Sequence, residues 1–161
     1  VSSESASLLR VATPVDAPLI AGLVLRSFRE HEGIVPPVSA LSESTESFTA
    51  KLATATCLIA EVEGEPAGCV FFEQKLDPPH VYLGRLAVLP EYRSRGLARA
   101  LIAAVEAAAR DAGYTLVRLE TRSSLTRNVQ LYERLGYVCY SHRAPRGSGE
   151  LLIVQMEKRL G

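Results

Sequence analysis

An α/β (α+β) architecture follows from the residue pattern: a single mixed, mostly antiparallel sheet of about seven strands with helices on both faces. Three observations imply it. Short apolar runs, partly β-branched, stand next to one another with tight turns between them, as hairpin strands do. Elsewhere apolar residues recur at steps of three and four, as on amphipathic helices. The two patterns interleave, with a strand–helix–strand crossover in the second half, so strands and helices must share one core. At 161 residues, the span 1–161 reads as one domain, long enough to bury a core without disulfides or metal.

Leu8 to Thr13 alternates and is closed by Pro14, a short strand. Thr13 or Asp16 can cap the helix that follows, where Ile20, Leu23, Val24, Ser27 and Phe28 mark one face to about Glu30. Gly33 to Val38, with Pro36 and Pro37, is loop. Ser42 to Ala55, polar apart from Phe48 and Leu52, reads as a second, exposed helix. Thr56–Glu63 and Pro66–Lys75 form a hairpin about Gly64-Glu65. Asp77-Pro78-Pro79 breaks the chain before a strand at Val81–Val88. Leu97, Leu101, Val105, Ala108 and Ala112 then trace a helical stripe, ended by Gly113 as a left-handed cap. Leu116–Thr121 is a strand, Thr126–Leu135 a helix with Gly136 just past its end, and Tyr137–Arg143 a strand. Ala144–Gly149 turns the chain into a last strand at Leu151–Lys158.

Composition excludes several classes. The chain has 47% hydrophobic and 22% charged residues, with 18 basic and 18 acidic side chains giving no net charge. That is the profile of a folded globular protein, not a disordered one. Zero net charge gives no long-range attraction to nucleic acid or an anionic membrane. Cys57, Cys69 and Cys139 lack metal-ligand spacing and read as buried thiols; no metal is expected. Val1–Ser7 lacks the features of a signal peptide and no apolar run is long enough to span a bilayer, so a cytoplasmic protein is expected.

The chemically informative stretch is Leu86–Ala98, LAVLPEYRSRGLA. A strand ends, a short loop follows, and a helix starts near Gly96. A helix N-terminus presents unpaired N–H groups and partial positive charge. Gly96 lets the backbone approach a ligand, and Arg93, Arg95 and Arg99 add cationic charge. Together these would hold a pyrophosphate. The P-loop and the dinucleotide-binding glycine fingerprint are both absent.

Arg93-Ser94-Arg95-Gly96-Leu97-Ala98 resembles the R/Q-x-x-G-x-G/A signature of the GCN5-related N-acetyltransferases, the GNAT family. The resemblance extends through RLAVLPEYR (Arg85–Arg93), which is similar to that family's fourth strand and following loop. It continues in LYERLGY (Leu131–Tyr137) and in the last strand, LLIVQMEKRL. The order of elements fits from Leu8 onward. The resemblance implies a GNAT-like acyl-CoA N-acyltransferase fold and an acetyl-CoA-dependent transfer. The fourth and fifth strands would splay, with the pantetheine arm against the backbone of Leu86, Ala87 and Val88. The amides of Arg93, Ser94, Arg95, Gly96, Leu97 and Ala98 would hold the pyrophosphate. Where many relatives have Asn, seven residues before the tyrosine, this chain has Leu125. Asn128 either bonds the cofactor or faces solvent.

Acetyl transfer to an amine needs a base for the ammonium and an acid for the departing thiolate. By the resemblance, Tyr132 is the acid; on helix periodicity alone it is a packing aromatic. Glu120 matches a fifth-strand glutamate that serves as base in the bacterial ribosomal-protein N-terminal acetyltransferases. Glu73, His80 and a water chain are the other candidates, and Tyr82 stands where many members carry a fourth-strand glutamate. His31, Glu32 and Gly33–Val38 fall in the family's substrate-side segment, with Tyr140, His142 and Ala144–Gly149 on the opposite wall. The partners implied are acetyl-CoA and a primary amine on a small molecule or peptide, with neither nucleic acid nor membrane; family members are often dimers. The contrasting reading is an acyl-CoA-binding sensor without transfer.

Overall fold

The computed structural model describes residues 7–161. Seven strands and four helices follow in the order β1 (Ser7–Val11), α1 (Ala17–Phe28), α2 (Thr45–Leu52), β2 (Thr56–Val62), β3 (Glu65–Lys75), β4 (His80–Val88), α3 (Leu97–Asp111), β5 (Leu116–Arg122), α4 (Thr126–Arg134), β6 (Val138–Arg143) and β7 (Ile153–Arg159), with short 3-10 turns between some of them. One sheet runs β1-β2-β3-β4-β5-β7-β6. Every neighbouring pair is antiparallel except β4 and β5. Helix α3 makes the crossover between those two, which a parallel pair requires.

Both faces of the sheet are covered. On one, Leu97, Leu101, Ile102 and Val105 of α3, with Tyr132 and Tyr137, pack on Val70, Val81, Leu83, Val117 and Leu119. On the other, Ile20, Leu23 and Val24 of α1 and Phe48 of α2 pack on Ile59, Cys69, Phe71 and Ala87. Glu106 is buried on α3 but accepts from Tyr137 Oη at 2.9 Å and Lys158 Nζ at 2.9 Å, which pairs its charge.

Several elements differ from expectation. The β2–β3 turn is Glu63-Gly64, one residue early, with φ of 53° and 82°. Both central residues are left-handed, as a tight hairpin of this kind needs, and Gly64 takes the second place. Helix α2 starts after Ser44, whose hydroxyl accepts from the Ser47 amide. It is not merely exposed, because Phe48 is fully buried and stacks on Phe71 with centroids 5.5 Å apart. Cys139 is exposed, unlike Cys57 and Cys69, because every residue of β6 is exposed at the sheet edge. The last strand begins at Ile153 rather than Leu151; the Leu152 carbonyl is instead taken by Ser123 N–H. Among the described residues no helix is long and apolar enough to cross a membrane.

Two irregularities shape the centre of the molecule. Strands β4 and β5 pair only at Val81–Val117 and Tyr82–Arg118. Beyond Tyr82 they part, leaving Leu83 to Val88 without a β5 partner. Strand β4 also carries an extra residue: against β3, Phe71 faces Gly84 while Cys69 faces Ala87, a step of two against a step of three. Arg85 takes up the slack with φ of 48°, the kink of a β-bulge. The bulge shifts the alternation. Val81 and Leu83 face the α3 side before it, and Leu86 and Val88 do so after it.

Candidate active site

The gap between β4 and β5 opens into two cavities that meet at the same side chains. Leu86, Leu125, Asn128 and Tyr132 line both. One cavity, about 760 Å³, runs along the α3 and α4 N-termini. The other, about 340 Å³, lies under the segment after α1 and is lined by Val38, Ser39, Phe71, Tyr82, Glu120 and Arg122 among others.

The larger cavity is built for anionic groups. The first hydrogen bond of α3 runs from Ala100 N–H to the Gly96 carbonyl. The amides of Leu97, Ala98 and Arg99 therefore precede the helical ladder, and no side chain caps them. Ser94 and Gly96 both take positive φ, 64° and 78°, which bends the loop into a concave run of amides of the kind that binds anions. A Cβ on Gly96 would meet no protein atom within 4 Å, so the glycine serves its backbone conformation and leaves space open. Leu86, Ala87, Val88, Arg93, Ser94, Gly96, Leu97 and Ala98 all line this cavity.

The arginines divide by role. Arg93 is a clasp: it donates to the carbonyls of Val88 and Ser27 at 3.2 Å each and pairs with Glu30 at 2.8 Å. That bond holds the Glu30 carboxyl below its usual range. Arg95 leans over the Tyr92 ring at 5.4 Å and is not among the cavity residues. Arg99 is, joined by Arg127 and Arg134 of α4. The sequence motifs do not single out those two. Their spacing of seven, with Leu131 between, puts them on one helix face.

On the smaller cavity's side, Glu120 is locked in place. It accepts from Arg143 Nε at 2.7 Å, Gln155 Nε2 at 2.7 Å and Tyr82 Oη at 3.3 Å. Burial would raise its carboxyl, but the bonds from Arg143 and Gln155, the Arg143 charge and the Tyr82 hydroxyl outweigh burial and hold it below the usual range. Burial, with the Glu120 charge next, raises the Tyr82 phenol instead. Glu73 lines the cavity and pairs with Lys75 at 3.1 Å. His80 is buried at the far end of β4 on the Pro78 carbonyl at 2.7 Å and lines neither cavity. His31 lines the larger cavity and not the smaller one, and Tyr140 lies against Arg118 at 4.1 Å.

Tyr132 stands at the junction. It is 6% exposed and packs edge-on to Tyr137 with centroids 6.1 Å apart. Burial pushes its phenol up to about 12. Among the described residues its hydroxyl has no hydrogen-bond partner, yet it is not sealed from the cavities. Tyr132 is thus a core ring whose polar tip reaches the cavities. Asn128 also faces the junction rather than open solvent.

Comparisons with known proteins agree with this geometry. The chain is 21% identical to the ribosomal-protein-S18-alanine N-acetyltransferase of Escherichia coli, with a TM-score of 0.77, covering 96% of this chain and 94% of that one. It is 16% identical to the PaiA N-acetyltransferase of Thermoplasma acidophilum, solved with coenzyme A, at a TM-score of 0.77 over 96% and 99% of the two chains. At these identities the likeness is one of fold. It is 34% identical over 88 residues to N-acetyltransferase family 8 member 2 of Rattus norvegicus, 52% of this chain and 39% of that protein. The chain thus spans about two fifths of that curated relative. Residues 25–137 match the sequence profile of the acetyltransferase (GNAT) family, more than half of the chain, and with the shared sheet, the strand gap and the loop before α3 this places the protein in the GNAT family.

Proposed function

We propose that this chain transfers an acetyl group from acetyl-CoA to a primary amine of a small molecule or peptide, by direct attack. The observation that carries the reading is the pair of cavities meeting at Tyr132 across the β4–β5 gap. The residues fit the cosubstrate: the amide loop 93–98 and the cations Arg99, Arg127 and Arg134 suit a pyrophosphate, and the unpaired edge of Leu86–Val88 suits an amide-bearing arm. Asn128 would add a hydrogen bond to that arm. The acetyl thioester would then sit at the junction, with the amine arriving from the smaller cavity.

The amine nitrogen attacks the thioester carbon, a C–N bond forms and the C–S bond breaks. Tyr132 donates its proton to the departing sulfur. Its raised pKa keeps the phenol protonated at neutral pH, and among the described residues no acceptor competes for its hydroxyl. Glu120 stays ionised, because Arg143 and Gln155 hold its charge. A carboxylate so stabilised is a weak base. It acts best by anchoring a water that carries the amine's proton away, with Tyr82 beside it. The test is release of free coenzyme A thiol with a panel of amines: release that depends on the amine supports transfer, and binding of acetyl-CoA without release supports the sensor reading.

A further inference from the structure

The smaller cavity contains four cations, and they are not alike. Arg143 is paired with Glu120. Arg85 is paired with Glu43 at 3.3 Å and donates to Ser39 Oγ at 3.0 Å. Lys51 is half-exposed and can be hydrated. Arg122 is 9% exposed. Among the described residues its one hydrogen bond is from Nη2 to the Pro37 carbonyl at 3.0 Å. Among the described residues no carboxylate forms an ion pair with it. Glu120, two positions earlier on β5, is fully engaged by other partners.

A buried guanidinium with one neutral acceptor is an unbalanced charge, and burial without a counterion is costly. Its remaining nitrogens are not sealed in protein, and the residue lines the acceptor cavity and not the larger one. Apolar Phe28, Val38 and Phe71 share the cavity wall with polar Ser39, Thr121 and Asn128. The space of about 340 Å³ suits a small molecule. A planar guanidinium fork with donors to spare matches a carboxylate.

We propose that Arg122 is the anion subsite of the acceptor cavity, and that the acceptor is a small amine carrying a carboxylate, of the amino-acid type. The proposal rests on the transferase reading above and deepens it by naming the substrate class. The acceptor's carboxylate supplies the counter-charge that Arg122 lacks, and its amino group is left to face Glu120 and Tyr132. An acceptor without the anionic group leaves the buried cation unpaired and binds worse.

The test follows thiol release with free α-amino acids and the matching α-amides, in the wild type, Arg122→Gln and Arg122→Lys. The glutamine amide can still donate to Pro37, so the loop contact is kept. For the amino acids that turn over, kcat/KM should exceed that of the amide by about 10-fold or more. The ratio should fall toward 1 in Arg122→Gln and recover in part in Arg122→Lys, with KM for acetyl-CoA unchanged throughout. Equal use of acid and amide by the wild type overturns the proposal. An unchanged ratio in Arg122→Gln also overturns it, as would a lowered Tm with that ratio, the signature of a purely structural tie to Pro37. If no amine of either kind releases thiol, the transferase reading fails separately. Calorimetry on the protein saturated with coenzyme A then decides the subsite: acids binding more tightly than amides, with the difference lost in Arg122→Gln, sustain it, and equal binding overturns it.

Discussion

The Tyr132 hydroxyl lies at the end of a buried ring, at the point where the two cavities touch. Among the described residues that hydroxyl has no hydrogen-bond partner and it reaches the cavities, so it is open to a ligand there. Tyr132→Phe keeps the ring against Tyr137 and removes only that group. On the proposed reading kcat falls roughly 100-fold, about 2.7 kcal/mol of transition-state stabilisation, while acetyl-CoA affinity and Tm stay near wild type. Single-turnover kinetics beside calorimetry check it; a wild-type chemical step would leave the ring as packing alone.

At the scale of an element, the N-terminus of α3 owes its form to Gly96 in the left-handed region. Gly96→Ala meets no protein atom, so its structural penalty is the left-handed backbone alone, about 1 kcal/mol. A larger loss of acetyl-CoA affinity than that, at least 10-fold by calorimetry on the folded variant, is the outcome expected if the loop holds the pyrophosphate. The alanine separates obstruction from strain better than a β-branched valine would.

The turn into α1 is governed by charge. Asp16 accepts from both Arg10 terminal nitrogens, at 2.9 and 3.0 Å, and from the Thr13 amide at 2.8 Å. The Arg10 hydrogen bonds lead in lowering its carboxyl to about 2. A depressed carboxyl stabilises the fold above the ordinary carboxylate pKa, about 3.9, and loses that stabilisation as pH falls toward the folded value. The pair is open to solvent screening, so the effect is on the order of 1 kcal/mol. Asp16→Asn should flatten that part of the stability profile between about pH 4 and 2, read by urea unfolding at each pH.

For the whole molecule, the two cavities are walled by elements from both faces of the sheet: the end of α1, the bulged half of β4, and the starts of α3 and α4. A ligand filling them ties those elements together in the folded state only. At a hundredfold excess over Kd, acetyl-CoA should stabilise by about 2.7 kcal/mol, raising Tm by roughly 5–10 °C for a chain of this size. A thermal melt with and without ligand measures it.

Much of this is legible in the sequence itself. Short-range signals carry the elements: alternation in Thr56–Val62, the three-four stripe of Leu97 to Val105, the left-handed Gly113 and Gly136. The amide loop was readable too, because a helix start after a glycine is a local event. The β4 bulge is written in VYLGRLAV, where the apolar beat skips at Gly84-Arg85, although the run otherwise reads as one strand. What needed the fold were relations between distant residues. Arg93 is a clasp and not a free cation, because Glu30 lies 63 positions away and beside it. Glu120 is held ionised by Arg143 and Gln155, which β6 and β7 respectively bring alongside. Among the described residues Arg122 is a charge without a carboxylate, because its strand ends under the Pro37 loop, which offers it only a carbonyl. Periodicity reports which face a side chain takes; burial and the balance of charge depend on what the rest of the chain places opposite it.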